Sequence, residues 1–328
     1  MCEGAEALDR APTRVDPSAM STDANLSRRS FAALALLTAA CAGQSRALTD
    51  PTGGSVTGTP DPRVGQYVSS GWTFATSTFW ISGPGGLVLV DVQFLPSVAV
   101  AAVEQAEHAT GKRAVGAFVL HPNPDKFNGT TALQRRGIEV WTSAQVLARM
   151  PEIHEKRVAA FYERYKPDYP QVMPRPTVFG DATRSMEVAG LPLTAHVIGP
   201  GCSEAHVVLQ FEDQIFVGDL VASGAHSWLE IGRTDEWLRR IDELLALRPR
   251  LVHPGRGPSG GPELLTQQRA YLEEVIALVA AETPSGPPRK QALARVRAEL
   301  ERRHPTYRFP VFLDIGLPAE WRRQAAGT

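Results

Sequence analysis

Short apolar segments alternate along the chain, from about Gly65 onward, with segments whose apolar residues recur at helical spacing. The segments LVLVDVQF (87–94) and RAVGAFVL (113–120) are apolar throughout and lie next to turn residues, which is typical of buried strands. Between them, SVAVAAVEQAEHATG (97–111) carries apolar residues on one helical face and ends in glycine, a residue favoured at helix C-termini. This alternation predicts a layered α/β protein.

The second half of the chain repeats this pattern with more strands. The segment TDEWLRRIDELLALRP (234–249) is an amphipathic helix with acidic residues in its first turn, and two more helices are predicted at about 262–282 and 288–303. Three segments have the character of strands joined by short turns: LPLTAHVIG (191–199), AHVVLQFED (205–213) and QIFVGDLVA (214–222). After the helix at 234–249, RLVHPGRGP (250–258) is a strand that runs into a loop. We therefore expect one domain over residues 65–260, with C-terminal helices over 261–328 packed on it.

The first 47 residues have a different character from the rest. Arg28 and Arg29 precede the apolar segment Phe31–Ala40, which small residues follow. This arrangement resembles a twin-arginine export signal. We predict that residues 1–47 are a signal region and that the chain is exported, to the periplasm or outside the cell. Residues 48–64, rich in glycine, proline and threonine, are predicted to be a flexible linker.

Several processing routes remain open at the sequence level. Cleavage after Ala47 fits the small residues before it, whereas lipid attachment at Cys41 would give a lipoprotein. Translation from Met20 instead of Met1 would give a signal of more usual length. Cys202 is the only cysteine after residue 47, so the predicted mature chain has no intramolecular disulfide.

Composition narrows the classes of partner. The 328 residues are 43% hydrophobic and 21% charged, with a formal net charge of -1, which gives no argument for binding nucleic acid or an anionic surface. No apolar run is long enough to span a bilayer after signal processing. The expected partner is a small-molecule substrate or ligand, and the oligomeric state is open.

Polar residues follow or end the predicted strands in a recognisable order. The segments that carry them are GGLVLVDVQ (85–93), HPNPDKFNG (121–129), GPGCSEAHVVL (199–209), IFVGDLV (215–221) and HPGRG (253–257). In this order and spacing they resemble the landmarks of the metallo-β-lactamase fold superfamily. The resemblance covers roughly residues 65–257. It implies an αββα four-layer sandwich, with two sheets face to face and helices outside, and hydrolysis by one or two zinc ions.

The loop HPNPDKFNG (121–129) keeps only part of the ligand motif that the resemblance implies. The family usually has His-x-His-x-Asp-His here. His121 and Asp125 match this motif, while Asn123 and Lys126 stand where the family has histidine.

The later loops depart from the family in the same way. Cys202 stands in place of a histidine, Asp219 matches the aspartate that bridges two metals, and Arg256 stands in place of the last histidine. Four of the seven ligand positions that the resemblance implies are therefore substituted, and we expect a degraded metal centre.

Charge predicts that one of the two metal positions is lost. Lys126 and Arg256 carry only hydrogen-bond donors at neutral pH, so neither side chain can bind a cation without losing a proton. Their positive charges would instead balance the buried carboxylates of Asp125 and Asp219. We expect this position to be free of metal.

The other metal position leaves two alternatives open. His121, Cys202 and Asp219 are all possible zinc ligands, and three protein ligands with a water molecule form a workable catalytic centre, in which Asp125 and His121 are the predicted catalytic residues. Alternatively no zinc binds, Cys202 is a small, partly buried apolar residue and His121 hydrogen-bonds Asp219. A third arrangement uses Cys202 as a nucleophile with His121 as base.

Two functions follow from these alternatives. One is an exported hydrolase of the metallo-β-lactamase type with a single zinc ion. The other is a metal-free pseudoenzyme that binds a small anionic ligand in the former active-site cleft, through Lys126, Arg256, Asn123 and His226. Whether the chain is an enzyme is undecided by the sequence.

Overall fold

The computed structural model describes residues 53–327, so the predicted signal region and the first residues of the predicted linker lie outside the described residues. The remaining linker differs from its prediction, because Ser55–Gly58 forms a strand that pairs antiparallel with Val64–Val68. All four residues of this edge strand are exposed, so no apolar pattern marks it in the sequence. Backbone hydrogen bonds to the neighbouring strand hold it instead.

The first sheet contains seven strands whose spatial order is their order in the chain. Pairing is antiparallel from β1 to β4 and parallel from β4 to β7. The strands are β1 Ser55–Gly58, β2 Val64–Val68, β3 Ser77–Gly83, β4 Gly86–Val90, β5 Ala114–Phe118, β6 Glu139–Ser143 and β7 Thr177–Gly180.

The second sheet contains five strands in the order β12-β11-β10-β9-β8. Every pair is antiparallel except β11 and β12, which run parallel. The strands are β8 Arg184–Val188, β9 Leu191–Ile198, β10 His206–Phe211, β11 Gln214–Ala222 and β12 Leu251–Arg256.

Eight α-helices in the described residues complete the structure, with a short 3-10 turn at Gly71–Thr73. The helices are α1 Pro96–Thr110, α2 Pro124–Phe127, α3 Thr130–Arg135, α4 Ala144–Tyr165, α5 Thr234–Ala246, α6 Glu263–Ala281, α7 Lys290–Arg303 and α8 Val311–Ala326. Within residues 53–327, no helix combines the length and the apolar character needed to cross a membrane.

The two sheets face each other, and helices cover their outer sides. On β10, Val207 and Leu209 belong to the apolar core shared with the first sheet, while Val208 between them packs into a second core with α5 and α6. Successive side chains of a strand point to opposite faces of the sheet, so both faces of β10 are buried. Helices α1 and α4 pack against the first sheet, and α5 and α6 against the second. The αββα sandwich expected from the resemblance is confirmed.

The C-terminal helices lie on the side of the sandwich that the second sheet forms. Both α7 and α8 contact α6 and each other. The sequence pattern did not predict α8. This helix contains Gly316 and Pro318 and is buried on several sides, so its apolar residues do not form a single stripe.

Candidate active-site cleft

The loops of the ligand motif meet at one end of the two sheets. Asp91 follows β4 with φ 63°, and the segment from His121 to Lys126 follows β5 and enters the short helix α2. From the second sheet, β11 contributes Asp219 and β12 ends at Arg256. The sequence folds this way because the carboxyl ends of neighbouring parallel strands lie at the same sheet edge.

A glycine allows the second-sheet residues to approach one another. Gly255 lies beside Asp219, and a Cβ atom at this position would lie 1.9 Å from Asp219 Oδ1. Only a residue without a side chain fits there, so the Asp219 carboxylate can occupy the space between β11 and β12.

Lys126 lies at the centre of the site and is completely buried. Its Nζ is 2.9 Å from Asp219 Oδ1, 3.4 Å from Asp125 Oδ2 and 3.7 Å from Asp91 Oδ2. Burial disfavours the charged ammonium, but the carboxylates outweigh this effect and raise the pKa of Lys126 above its ordinary value. The side chain is therefore a fixed positive charge between three acidic groups.

Arg256 supplies the second positive charge. Its guanidinium donates to Asp219 Oδ2, to Asp125 Oδ2 at 2.7 Å, and through Nε to the carbonyl of Phe74 at 3.2 Å. Burial opposes the charge, but the Asp219 and Asp125 carboxylates raise the pKa of Arg256. One guanidinium therefore joins the first-sheet and second-sheet carboxylates.

The three carboxylates respond differently to burial. Burial alone would raise the pKa of Asp125 and Asp219, but the neighbouring cations, Lys126 and Arg256, lower the pKa of both. For Asp91, burial dominates and raises the pKa to about 6, although Lys126 opposes it. We call these five residues, Asp91, Asp125, Lys126, Asp219 and Arg256, the ion cluster.

The ion cluster does not fit a zinc ion between Asp125 and Asp219. Zinc needs lone pairs from its ligands, and the groups beside these two carboxylates are an ammonium and a guanidinium, which carry none. Within residues 53–327, no group of three or more histidine, cysteine, aspartate or glutamate side chains is placed to hold a metal ion.

The predicted single-zinc ligands are only partly brought together. His121 Nε2 lies 3.5 Å from Asp219 Oδ2. Cys202 Sγ instead lies 3.8 Å from His206 Nε2. A zinc ion held by His121, Cys202 and Asp219 therefore stays a prediction, which the geometry of the described residues does not support.

Cys202 lies in the apolar core behind the cleft. Its side chain packs with residues of β11 and α5. Burial is the largest cause that raises its pKa well above the ordinary thiol value, and the negative charge of Asp219 adds to it. The positive charge of Lys126 lowers the pKa of Cys202, but burial outweighs this effect, so the thiolate is disfavoured. This argues against Cys202 as a nucleophile.

The sequence did not identify Ser203, whose side chain contacts His121. Ser203 Oγ lies 3.3 Å from His121 Nδ1, and the Ser203 backbone N–H donates to His206 Nε2 at 3.1 Å. The only signal was its place directly after Cys202 in a motif loop.

Aromatic rings from distant segments cover the ion cluster. The remaining cavity has a volume of about 40 Å³, and its polar side is formed by Asn123, Asp125, Arg157, Asp219 and Arg256. The rings that line it are Phe74, Phe94, Phe161, Trp228 and Phe312. Phe312, on α8, packs edge-on against Trp228 at 4.9 Å between ring centroids and lies under the Arg256 guanidinium.

Two of the four predicted substrate-binding residues do not line this cleft. Lys126 has no exposed surface, and His226 is buried elsewhere, with its Nδ1 2.8 Å from Tyr271 Oη. Burial lowers the pKa of His226 to about 4, so the ring is neutral at pH 7. Asn123 and Arg256 do line the cleft. The positive charges of Lys126 and Arg256 are already matched by carboxylates, which disfavours the predicted anionic ligand.

Comparison with known proteins agrees with this architecture. Residues 71–256, more than half of the chain, match the metallo-beta-lactamase superfamily. No curated protein matches the chain. Among solved structures, a metallo-beta-lactamase from Pontibacter korlensis is similar at 21% identity and a TM-score of 0.52, over 67% of this chain and 99% of that chain. The metallo-beta-lactamase FIM-1 from Pseudomonas aeruginosa, in its mono-zinc form, is 19% identical with a TM-score of 0.51, over 67% and 95%. At these identities the likeness supports the fold alone.

Proposed function

Because this chain belongs to the metallo-beta-lactamase superfamily, we propose that it is a metal-independent member in which the ion cluster takes the place of the metal centre. The cleft then serves a small molecule that carries no net negative charge. This differs from the anionic ligand expected from the sequence, because the cations of the cluster are bound to its carboxylates, and Asp125 and Asp219 line the cleft beside Arg157 and Arg256.

One observation carries this proposal: Lys126 Nζ lies 2.9 Å from Asp219 Oδ1 with no exposed surface. A buried ammonium in contact with a carboxylate repels a metal cation at the same carboxylate. Removing its proton to admit zinc would require free energy, since the carboxylates raise the pKa of Lys126.

Zinc content tests the proposal directly. We expect mature protein purified from zinc-supplemented cells to contain less than about one zinc per ten chains by elemental mass spectrometry. The matched comparison is the triple variant Asn123→His/Lys126→His/Arg256→His, which restores neutral ligands at three positions and should bind zinc. About one zinc per wild-type chain that is lost in Cys202→Ser would contradict the proposal and support the single-zinc hydrolase.

Export remains part of the proposal, supported by Arg28, Arg29 and the apolar segment that follows. In cells that express the full chain, the double variant Arg28→Lys/Arg29→Lys should abolish the processed form outside the cytoplasm. The N-terminal residue of that processed form separates the two routes. A start at Leu48 means signal cleavage, whereas a lipid-modified Cys41 means a lipoprotein. Processing unaffected by the double variant would contradict the twin-arginine route.

A further inference from the structure

We infer that Ser203, His121 and Asn123 form a site for metal-independent hydrolysis of small carboxylic esters. The inference goes beyond the proposed function and rests on it in one respect, that no metal ion occupies His121. The site faces a second cavity of about 180 Å³, which lies beside the aromatic cleft and is lined by Asn123, Cys202, Ser203 and charged residues of α4.

The contacts of His121 give it the position of a general base. Its Nδ1 lies 3.3 Å from Ser203 Oγ, while its Nε2 faces Asp219 Oδ2 at 3.5 Å and has no closer polar partner among residues 53–327. The imidazole is completely buried, so its orientation is fixed by packing. A serine, an imidazole and a carboxylate in this sequence of contacts are the arrangement that activates a hydroxyl for nucleophilic attack.

Asn123 supplies a hydrogen-bond donor to the cavity that Ser203 also lines. The residue is 8% exposed, and its side-chain amide has no hydrogen-bond partner among the described residues. Its N–H groups are available for the oxygen on which negative charge develops when a carbonyl is attacked.

The reaction follows from these three groups. Ser203 Oγ bonds to the carbonyl carbon as its proton passes to His121 Nδ1, and the oxyanion accepts from Asn123. The tetrahedral species then expels the alcohol oxygen, which takes the proton from His121. Water adds to the acyl-serine by the same two proton transfers, and the products are a carboxylic acid and an alcohol. Asp219 is a positioning residue, because its Oδ2 faces His121 Nε2 while the other ring nitrogen, Nδ1, faces Ser203.

The cavity selects a small and polar ester. Its volume of about 180 Å³ accommodates a short acyl group but not a long chain. Its walls carry both signs of charge, with Lys156 paired to Glu230 and Glu204 paired to Arg233. Balanced charges of this kind favour neither an anion nor a cation, so the substrate class is a neutral short-chain ester.

Covalent labelling tests the inference without a known substrate. Methanesulfonyl fluoride is small enough for the cavity and transfers its sulfonyl group to an activated serine with loss of fluoride. We expect one sulfonyl group per folded chain in the presence of EDTA, located on Ser203 by peptide mass spectrometry. Protein unfolded in urea should not be labelled there, because the activation requires His121.

Matched variants separate the roles of the residues. Ser203→Ala should abolish the label, while Ser227→Ala, a buried serine that accepts from Gln268, should retain it. His121→Gln should slow labelling by roughly 10²-fold or more, and Asn123→Ala should slow hydrolysis of p-nitrophenyl acetate by roughly 10²-fold. Asp219→Asn should lower the rate of labelling but leave its final extent at one per chain, whereas a loss of fold would lower the extent.

Labelling that is absent in the wild type, or retained in Ser203→Ala, overturns the inference. This outcome is distinct from failure of the proposed function, which zinc content alone decides. A chain without zinc and without label is a metal-independent protein whose Ser203 is inert.

Discussion

Arg250 and Arg256 lie six residues apart, just before β12 and at its end, in opposite environments. Arg256 is buried and bound to two carboxylates, whereas the side chain of Arg250 is 54% exposed and paired with Asp213, which is also exposed. We expect Arg256→Ala to lower the free energy of unfolding by about 3–5 kcal/mol, because it leaves buried carboxylates without their cation. The same change at Arg250 should cost about 1 kcal/mol or less.

Urea denaturation of the two variants beside the wild type measures this difference. Equal losses of stability at the two positions would show that the cluster charges are not held in a buried environment. An Arg256→Ala protein as stable as the wild type would mean that water or a bound cation replaces the guanidinium.

His253 gives the stability a pH dependence of predictable sign. It is completely buried, hydrogen-bonded to Ser259 and Gln214, and burial lowers its pKa from 6.5 to about 3. Between these two values the unfolded chain binds a proton that the folded chain does not, so stability falls as the pH falls through 6.5. At pH 5 this contribution is about 2 kcal/mol.

The variant His253→Phe tests the pH effect. The loss of unfolding free energy between pH 7 and pH 5 should be smaller in the variant than in the wild type by that amount. The hydrogen bonds that the variant also loses shift its stability equally at both pH values. Identical pH profiles would show that folding does not lower the pKa of His253.

At the scale of single residues, the sequence predicted the charges of the site better than the contacts between its side chains. That Lys126 and Arg256 would balance carboxylates followed from their chemistry, since neither can bind a cation. The burial of Cys202 was only one of several alternatives, because it depends on how α5 packs over β11. Ser203 was missed for the same reason, since the fold alone brings it to His121, 82 residues away in the chain.

At the scale of elements, helix α8 lines one side of the cleft through Phe312, although the helix lies outside the residues that match the family. Phe312 of α8 is buried against Phe74, Trp228 and Arg256. We expect Phe312→Ala to cost about 3–5 kcal/mol and to enlarge the 40 Å³ cavity. The space left by the phenyl ring is bordered by the rings of Phe74 and Trp228, so a small aromatic molecule can occupy it.

Thermal unfolding in the presence of benzene measures this effect. Benzene should raise the Tm of Phe312→Ala more than that of the wild type, since it binds only the folded state with an open cavity. Equal shifts in both proteins would mean that the surrounding rings collapse into the space.

Elements with a strong apolar pattern were predicted, and those without one were not. Strands β4, β5, β10 and β11 are buried and apolar, and each was visible in the sequence. Strand β1 and helix α8 were not, because β1 is held by backbone pairing and α8 has apolar residues on several sides.

At the scale of the whole molecule, the ion cluster joins the two sheets. Asp91, Asp125 and Lys126 come from the first sheet and its loops, and Asp219 and Arg256 from the second. Since these charges compensate one another, folding should not require a metal. We therefore expect the Tm of mature protein to change by less than about 1 °C on addition of excess EDTA or of equimolar zinc, where a bound metal would shift it by linkage. A fall of several degrees in EDTA would contradict this expectation.

The ion cluster also constrains how the chain can change by mutation. Histidine in place of Lys126 alone removes one buried positive charge, and histidine in place of Arg256 alone leaves Asp125 and Asp219 without their shared guanidinium. Each single step leaves a buried charge unpaired before any metal ligand set is complete. The two positions are therefore epistatic. Any path towards a zinc site that changes one position at a time passes through a less stable protein.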